Sequence, residues 1–110
     1  LRYQNNLNEI EQLKLPHIRK DSNSSFHLYV VHTVKRNDLM NHLNENEIAT
    51  ALHYPVSIHL QKAYNHLRYT KGDFPNAEKN AEQCLSLPLY PELSGDQINY
   101  ICNKITRFFE

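Results

Sequence analysis

A chain of 110 residues, 40% hydrophobic and 22% charged, has the size and composition of one ordinary domain around one core. Twelve Lys and Arg balance twelve Asp and Glu, so no long-range field draws nucleic acid, an anionic membrane surface or an acidic substrate, and any ligand must be held by local geometry. No apolar run reaches the length of a membrane span and no charged-then-apolar leader opens the chain; it reads as a cytoplasmic protein with Cys84 and Cys102 packed as reduced thiols.

Leu1 to Leu13 reads as the tail of a helix already under way, and the first residue is Leu rather than Met, so a fragment of something longer is expected. Leu7, Ile10 and Leu13 give that segment one narrow apolar stripe before Pro16 ends it. Arg19 to Ser25 is polar and reads as a loop, the best internal boundary. Phe26 to Val34 is the clearest strand, β-branched and aromatic between polar clusters. Alternation puts Tyr29, Val31 and Thr33 on one face and Leu28, Val30 and His32 on the other, and because both carry apolar groups a second layer is expected over this strand.

Asn37 or Asp38 can cap a short helix carrying Leu39, Met40 and Leu43, which Ile48 leaves. Thr50 to Tyr54, closed by Pro55, reads as a further strand, and Ser57 to Tyr69 as a short helix or irregular segment with Leu60, Ala63, Tyr64 and Leu67 on one side. After a turn at Gly72-Asp73, Pro75 suits the first turn of a helix whose slim buried stripe is Ala77, Ala81 and Cys84. Leu85 to Leu89 reads as a strand closed by Tyr90 and Pro91. Ser94 with Gln97 makes a capping box for a helix from Gly95 to Phe109, with Ile98, Ile101, Cys102, Ile105, Phe108 and Phe109 at three- and four-residue intervals. The result is an α+β domain, a small antiparallel sheet of about three strands with helices packed on it.

The seven histidines invite a metal, but His27 and His32 would point to opposite faces of their strand, and neither cysteine has a second ligand at the usual spacing. No nucleophile motif or phosphate loop is present, and two glycines leave few places for backbone to approach a phosphate. The segment Ile48 to Pro55 differs, because it sets the imidazole of His53 and the phenol of Tyr54 beside a proline that can bring both to one ligand. Both side chains donate and accept hydrogen bonds, which suits a polyhydroxyl or phosphate group. The plainer alternative makes His53 a turn histidine and Tyr54 a core aromatic, with His59 and Gln61 lining a surface helix.

Five segments occur in order and at plausible spacing: Phe26-His27-Leu28-Tyr29-Val30-Val31, Ile48-Ala49-Thr50-Ala51-Leu52-His53-Tyr54-Pro55, Ile58-His59-Leu60-Gln61-Lys62-Ala63-Tyr64, Gly72-Asp73-Phe74-Pro75-Asn76-Ala77-Glu78 and Cys84-Leu85-Ser86-Leu87-Pro88-Leu89-Tyr90-Pro91. Together they resemble the C-terminal region of the DegT and StrS type of sugar aminotransferase. The resemblance implies the C-terminal small domain of the aspartate-aminotransferase-like (type I) pyridoxal-phosphate fold. Residues 1–20 would be the end of a linking helix and loop from a large domain, and residues 21–110 the small domain itself.

The implied full-length enzyme transfers an amino group, usually from glutamate, to a nucleotide-linked keto-sugar, for instance in cell-surface polysaccharide synthesis. It is a dimer and holds pyridoxal phosphate on a large-domain lysine. Ser25-Phe26-His27 echoes the lysine signature, yet Val30 stands where the lysine would be, so the fragment alone is expected to be inactive and free of cofactor. The implied partners are the chain's own large domain, a second subunit and the nucleotide-sugar, with neither nucleic acid nor membrane. His53 and Tyr54 are the implied substrate-positioning residues. Glu47 and Ala51 stand where the family often has glycine, so the helix end before Ile48 must close another way, for which a left-handed Asn46 is the expectation. The rival reading is a non-catalytic regulatory or interaction module binding a partner through the face of Tyr29 and Val31.

Overall fold

In the computed structural model, which describes residues 2–110, Phe26 has a left-handed backbone (φ 48°) that interrupts the extended run expected from that residue. The strand β1 is accordingly short, Tyr29–His32, and pairs antiparallel with β2, Cys84–Leu87. In the register, Tyr29 faces Leu87 and His32 faces Cys84. Thr50 to Tyr54 does not form the further strand: only Ala51 pairs its backbone with the sheet, exchanging amide and carbonyl with Ser86 at 3.2 and 2.8 Å. Lys14 forms a matching one-residue bridge with His32 on the outer edge of β1, at 2.8 and 2.9 Å. The α+β class stands, with two strands among the described residues in place of about three.

One face of this sheet is the core. Tyr29, Val31, Leu85 and Leu87 are buried there against Tyr3 and Leu7 of α1 (Arg2–Leu7), Leu39 and Leu43 of α2 (Arg36–Glu45), and Ile101, Cys102 and Ile105 of α4 (Gly95–Phe109). The second layer anticipated over Tyr29 and Val31 is therefore supplied by this chain's own helices. Both residues are fully enclosed, which removes their face as a docking surface. Tyr3 and Tyr29 keep their polar ends satisfied while burying their rings: Tyr3 donates to the Pro88 carbonyl at 2.9 Å and Tyr29 to Gln4 Oε1 at 3.1 Å. Burial, reinforced by the nearby Cys102, pushes the Tyr29 phenol up to about 12.

α1 stops at Leu7, short of the helix expected to Leu13, but its stripe survives. Ile10 donates to the Leu7 carbonyl and Leu13 to the Ile10 carbonyl, at 3.2 and 3.0 Å, so the spacing of three arises from two successive turns. On the opposite face of the sheet lies α3, Pro75–Gln83, joined to β1 by His32 Nε2 and Asn80 Oδ1 at 2.6 Å. Its buried side carries Glu78 and Ala81, whereas Ala77, expected in the stripe, is exposed. Arg36 of α2 donates to the carbonyls of Ala81 and Cys84 at 3.3 and 3.2 Å, closing the end of α3 with a cation as the helix dipole favours. Cys84 packs on the α3 face and Cys102 in the core, and both are free thiols.

α2 ends in the pattern that satisfies its last carbonyls with two amides from beyond its end. Ile48 donates to the Leu43 carbonyl at 2.9 Å, Glu47 donates to the Asn44 carbonyl at 3.0 Å, and Ile48 joins Leu43 in the core. The left-handed residue is Glu47 (φ 60°), not Asn46 (φ −99°): Asn46 instead turns its side-chain amide back onto the His42 carbonyl at 2.8 Å. A side chain at such a φ is strained, so Glu47→Gly is expected to raise the unfolding free energy by roughly 0.5–1 kcal/mol, read as an upward shift of the urea midpoint at unchanged slope. α4 forms over the expected residues, and its capping box is complete, with Gln97 N to Ser94 Oγ at 3.2 Å and Ser94 N to Gln97 Oε1 at 2.8 Å.

Candidate functional site

The Ala51–Ser86 bridge sets where the chain leaves the sheet, and the candidate residues follow at once. His53 is half-buried and its Nδ1 lies 2.9 Å from Ser86 Oγ, a residue of β2 whose backbone also holds Ala51. That bond occupies one ring nitrogen and leaves Nε2 as the one able to meet a ligand. The His53–Tyr54 peptide is cis, and the two rings meet edge to face with centroids 5.4 Å apart. Tyr54 is 71% exposed, so the core-aromatic alternative does not hold for it. The geometry brings the two candidates together on one side of the chain.

Downstream, the segment 57–69 runs as two tight turns, Ile58–Leu60 and Lys62–Leu67, and the second buries no residue. Leu60, Tyr64 and Leu67, spaced as for a docking helix, are exposed, together with Val56 and Ile58. His59 does not line a surface helix. It is 8% exposed, and its Nε2 lies 2.9 Å from Oε1 of Glu78, itself 7% exposed. Glu78 also accepts from the Gly72 amide at 2.8 and 3.0 Å and from the Phe74 amide at 3.4 Å. Sequence reasoning missed this residue; the available signal was an acid in the first turn of a helix begun by Pro75, just after the Gly72 turn.

Burial works to raise the Glu78 carboxyl pKa, but the Gly72 amide, the His59 ring and the Phe74 amide outweigh it and hold the group below the ordinary carboxylate value. A carboxylate whose folded pKa is depressed contributes stability above its unfolded value, near 4.3 in model peptides. That contribution fades as pH falls through the lower folded value. Urea midpoints measured from pH 7 down to pH 3 are therefore expected to fall less steeply below about pH 4.3 for Glu78→Gln than for the parent chain.

A shallow groove of about 520 Å³ runs along Tyr54, Pro55, Val56, Leu60, Gln61 and Lys62. A second, of about 580 Å³, lies between the end of α2 and the start of α4, lined by Glu47, Tyr90 and Tyr100 among others, and includes neither His53 nor Tyr54. Every lysine among the described residues is exposed or half-buried, and a Cβ at Gly95 would meet the Arg2 guanidinium at 2.5 Å. Pyridoxal phosphate needs a lysine amine enclosed in a pocket and a backbone cradle for its phosphate; these residues do not fit it by themselves, and no catalytic step is assigned to them. Among the described residues, no three His, Cys, Asp or Glu side chains gather as metal ligands would, and no helix is long and apolar enough to cross a membrane.

Residues 1–106 match the model of the DegT/DnrJ/EryC1/StrS aminotransferase family. The chain is 34% identical over 108 residues to a dTDP-3-amino-3,4,6-trideoxy-alpha-D-glucose transaminase of Streptomyces venezuelae, across 98% of this chain and 28% of that protein. It is 43% identical over 84 residues to a protein of Geobacillus stearothermophilus named pleiotropic regulatory protein, across 76% of this chain and 23% of that one. Its backbone matches the crystal structure of S. venezuelae DesV in complex with a ketimine intermediate at a TM-score of 0.95 and 34% identity, over 99% of this chain and 29% of that chain. The chain thus spans about a quarter of the length of these relatives.

Proposed function

The chain belongs to the DegT/DnrJ/EryC1/StrS aminotransferase family, and from that premise we propose that it is the C-terminal small domain of a nucleotide-sugar aminotransferase. In this reading the full-length, dimeric, cytoplasmic enzyme moves an amino group from glutamate to a nucleotide-linked keto-sugar destined for cell-surface polysaccharide. It uses pyridoxal phosphate, which supplies the electron sink for the transfer. Residues 1–20 are the end of the connection from the large domain, 21–110 form the small domain, and the fragment alone is inactive. His53 and Tyr54 orient the sugar. The observation that carries the reading is the backbone match to the DesV structure over nearly the whole chain, alongside 34% identity to a dTDP-amino-sugar transaminase, with His53 and Tyr54 side by side next to an open groove.

One feature supports an outside contribution to this site. Val56, Ile58, Leu60, Tyr64 and Leu67 turn a row of apolar groups outward from the segment that follows Tyr54, the mark of a surface covered in an assembly. The covering surface is the large domain or the second subunit.

The test is amino transfer by the full-length protein, assayed from glutamate to dTDP- and UDP-linked 3-keto and 4-keto sugars; a cofactor-loaded protein that aminates none of them overturns the proposal. A second reading, a regulatory module of the same fold, is favoured by the name of the Geobacillus relative. An enclosed Schiff-base lysine encoded upstream of Leu1 separates the two: its presence supports the enzyme and its absence the module.

A further inference from the structure

Hydrophobic packing does not hold the segment that leaves Tyr54. Between Pro55 and Phe74 only Ser57 and His59 are buried, and the apolar side chains face outward. The buried tie between the segment and the domain is one carboxylate, Glu78, on which the His59 ring and the amides of Gly72 and Phe74 converge; the Lys71–Glu82 pair, at 3.6 Å, is exposed. The Phe74 ring meets His59 edge to face at 4.9 Å and closes the cluster. Glu78 sits on α3, which is itself fixed to β1 by the His32–Asn80 contact and to α2 by Arg36. Tyr54 thus lies between two anchors, His53 on Ser86 upstream and His59 on Glu78 downstream, with most of its own surface in solvent.

We propose that His59 and Glu78 are positioning residues for the sugar site: the pair fixes the downstream end of the segment 53–59 and so sets the direction in which the Tyr54 phenol meets a nucleotide-linked sugar. This rests on the sugar-orienting role proposed for His53 and Tyr54. Neither His59 nor Glu78 touches the substrate; they act by holding the backbone downstream of Pro55, opposite the upstream tether of His53 to Ser86. A displacement of about 1 Å at a positioning group is enough to be felt in catalysis.

The experiment compares variants of the full-length enzyme. Glu78→Gln keeps the size but sets an NH2 group among three N–H donors, and is expected to raise KM for the nucleotide-sugar about tenfold, with a much smaller change in KM for the amino donor. His59→Gln retains a donor toward Glu78 and is expected to recover most of the sugar affinity that His59→Ala loses; this pair carries the test if Glu78→Gln does not fold. A fall in kcat at unchanged KM for both substrates would mark a purely structural role and overturn the proposal. Unchanged sugar KM in the Glu78 and His59 variants, with a raised value in Tyr54→Phe, would overturn it while leaving the site intact. Unchanged sugar KM in all of them, Tyr54→Phe included, would remove the site reading and the positioning pair together.

Discussion

In the full-length enzyme, His53→Ala is expected to lower kcat/KM for the nucleotide-linked keto-sugar about a hundredfold, a loss of roughly 2.7 kcal/mol of transition-state stabilisation. Two parts make up that figure. In the proposed site the imidazole would give the sugar one hydrogen bond through Nε2, and losing it would account for about 1–1.5 kcal/mol. The remainder comes from orientation, because the His53 ring stands edge-on against Tyr54 at 5.4 Å and is tethered to Ser86, so its removal frees the phenol as well. Tyr54→Phe, which takes away only the hydroxyl, is expected to lose about tenfold. Ser86→Ala should fall between the parent and His53→Ala, since it loosens the imidazole without deleting it. Steady-state kinetics with the sugar varied at saturating amino donor measure all three, and unchanged values for His53→Ala would remove it from the site.

The apolar row from Val56 to Leu67 and the enclosed face of Tyr29 and Val31 show how the fold divides its hydrophobic surface. The strand's apolar residues are consumed internally by α1, α2 and α4. Those after Tyr54 are left outward by a backbone of tight turns that have no second face to bury. A partner surface over this row would close the groove along Tyr54 and Leu60 and exclude water from the phenol, strengthening any hydrogen bond it makes.

Local patterns were legible where they suffice to fix local structure. Ser94 and Gln97 announce α4 because a capping box satisfies its own amides, and the apolar period that follows matches the buried side of the helix. Strand lengths were not legible, because they depend on pairing across the sheet: Thr50 to Tyr54 has the composition of a strand but only Ala51 meets an edge. The left-handed Phe26 and Glu47 were equally hidden, since neither residue type signals a positive φ. His59 and Glu78 are nineteen positions apart, and nothing in the spacing shows that a turn at Gly72 folds one onto the other. The pair His53-Tyr54 was legible as a candidate because it is adjacent in sequence; the Ser86 tether, thirty-three positions away, was not.

Ile105→Ala is expected to lower the unfolding free energy of the chain by about 3 kcal/mol, the largest stability effect among single core truncations of α4. Ile105 is fully buried, and it belongs to the one core that joins α1, α2 and α4 to the sheet. Three carbons leave a water-free site at about 0.8 kcal/mol each, and incomplete collapse of the cavity adds the rest. Ile105→Val, which removes one methyl group, should cost about 1 kcal/mol, while Val34→Ala, at a position 81% exposed, should stay within about 0.5 kcal/mol. Denaturant unfolding of the four proteins at equal slope gives the differences directly. If Ile105→Ala fell as little as Val34→Ala, α4 would not be docked on the sheet as described, and the enclosure of Tyr29 and Val31 that excludes their face as a binding surface would fail with it.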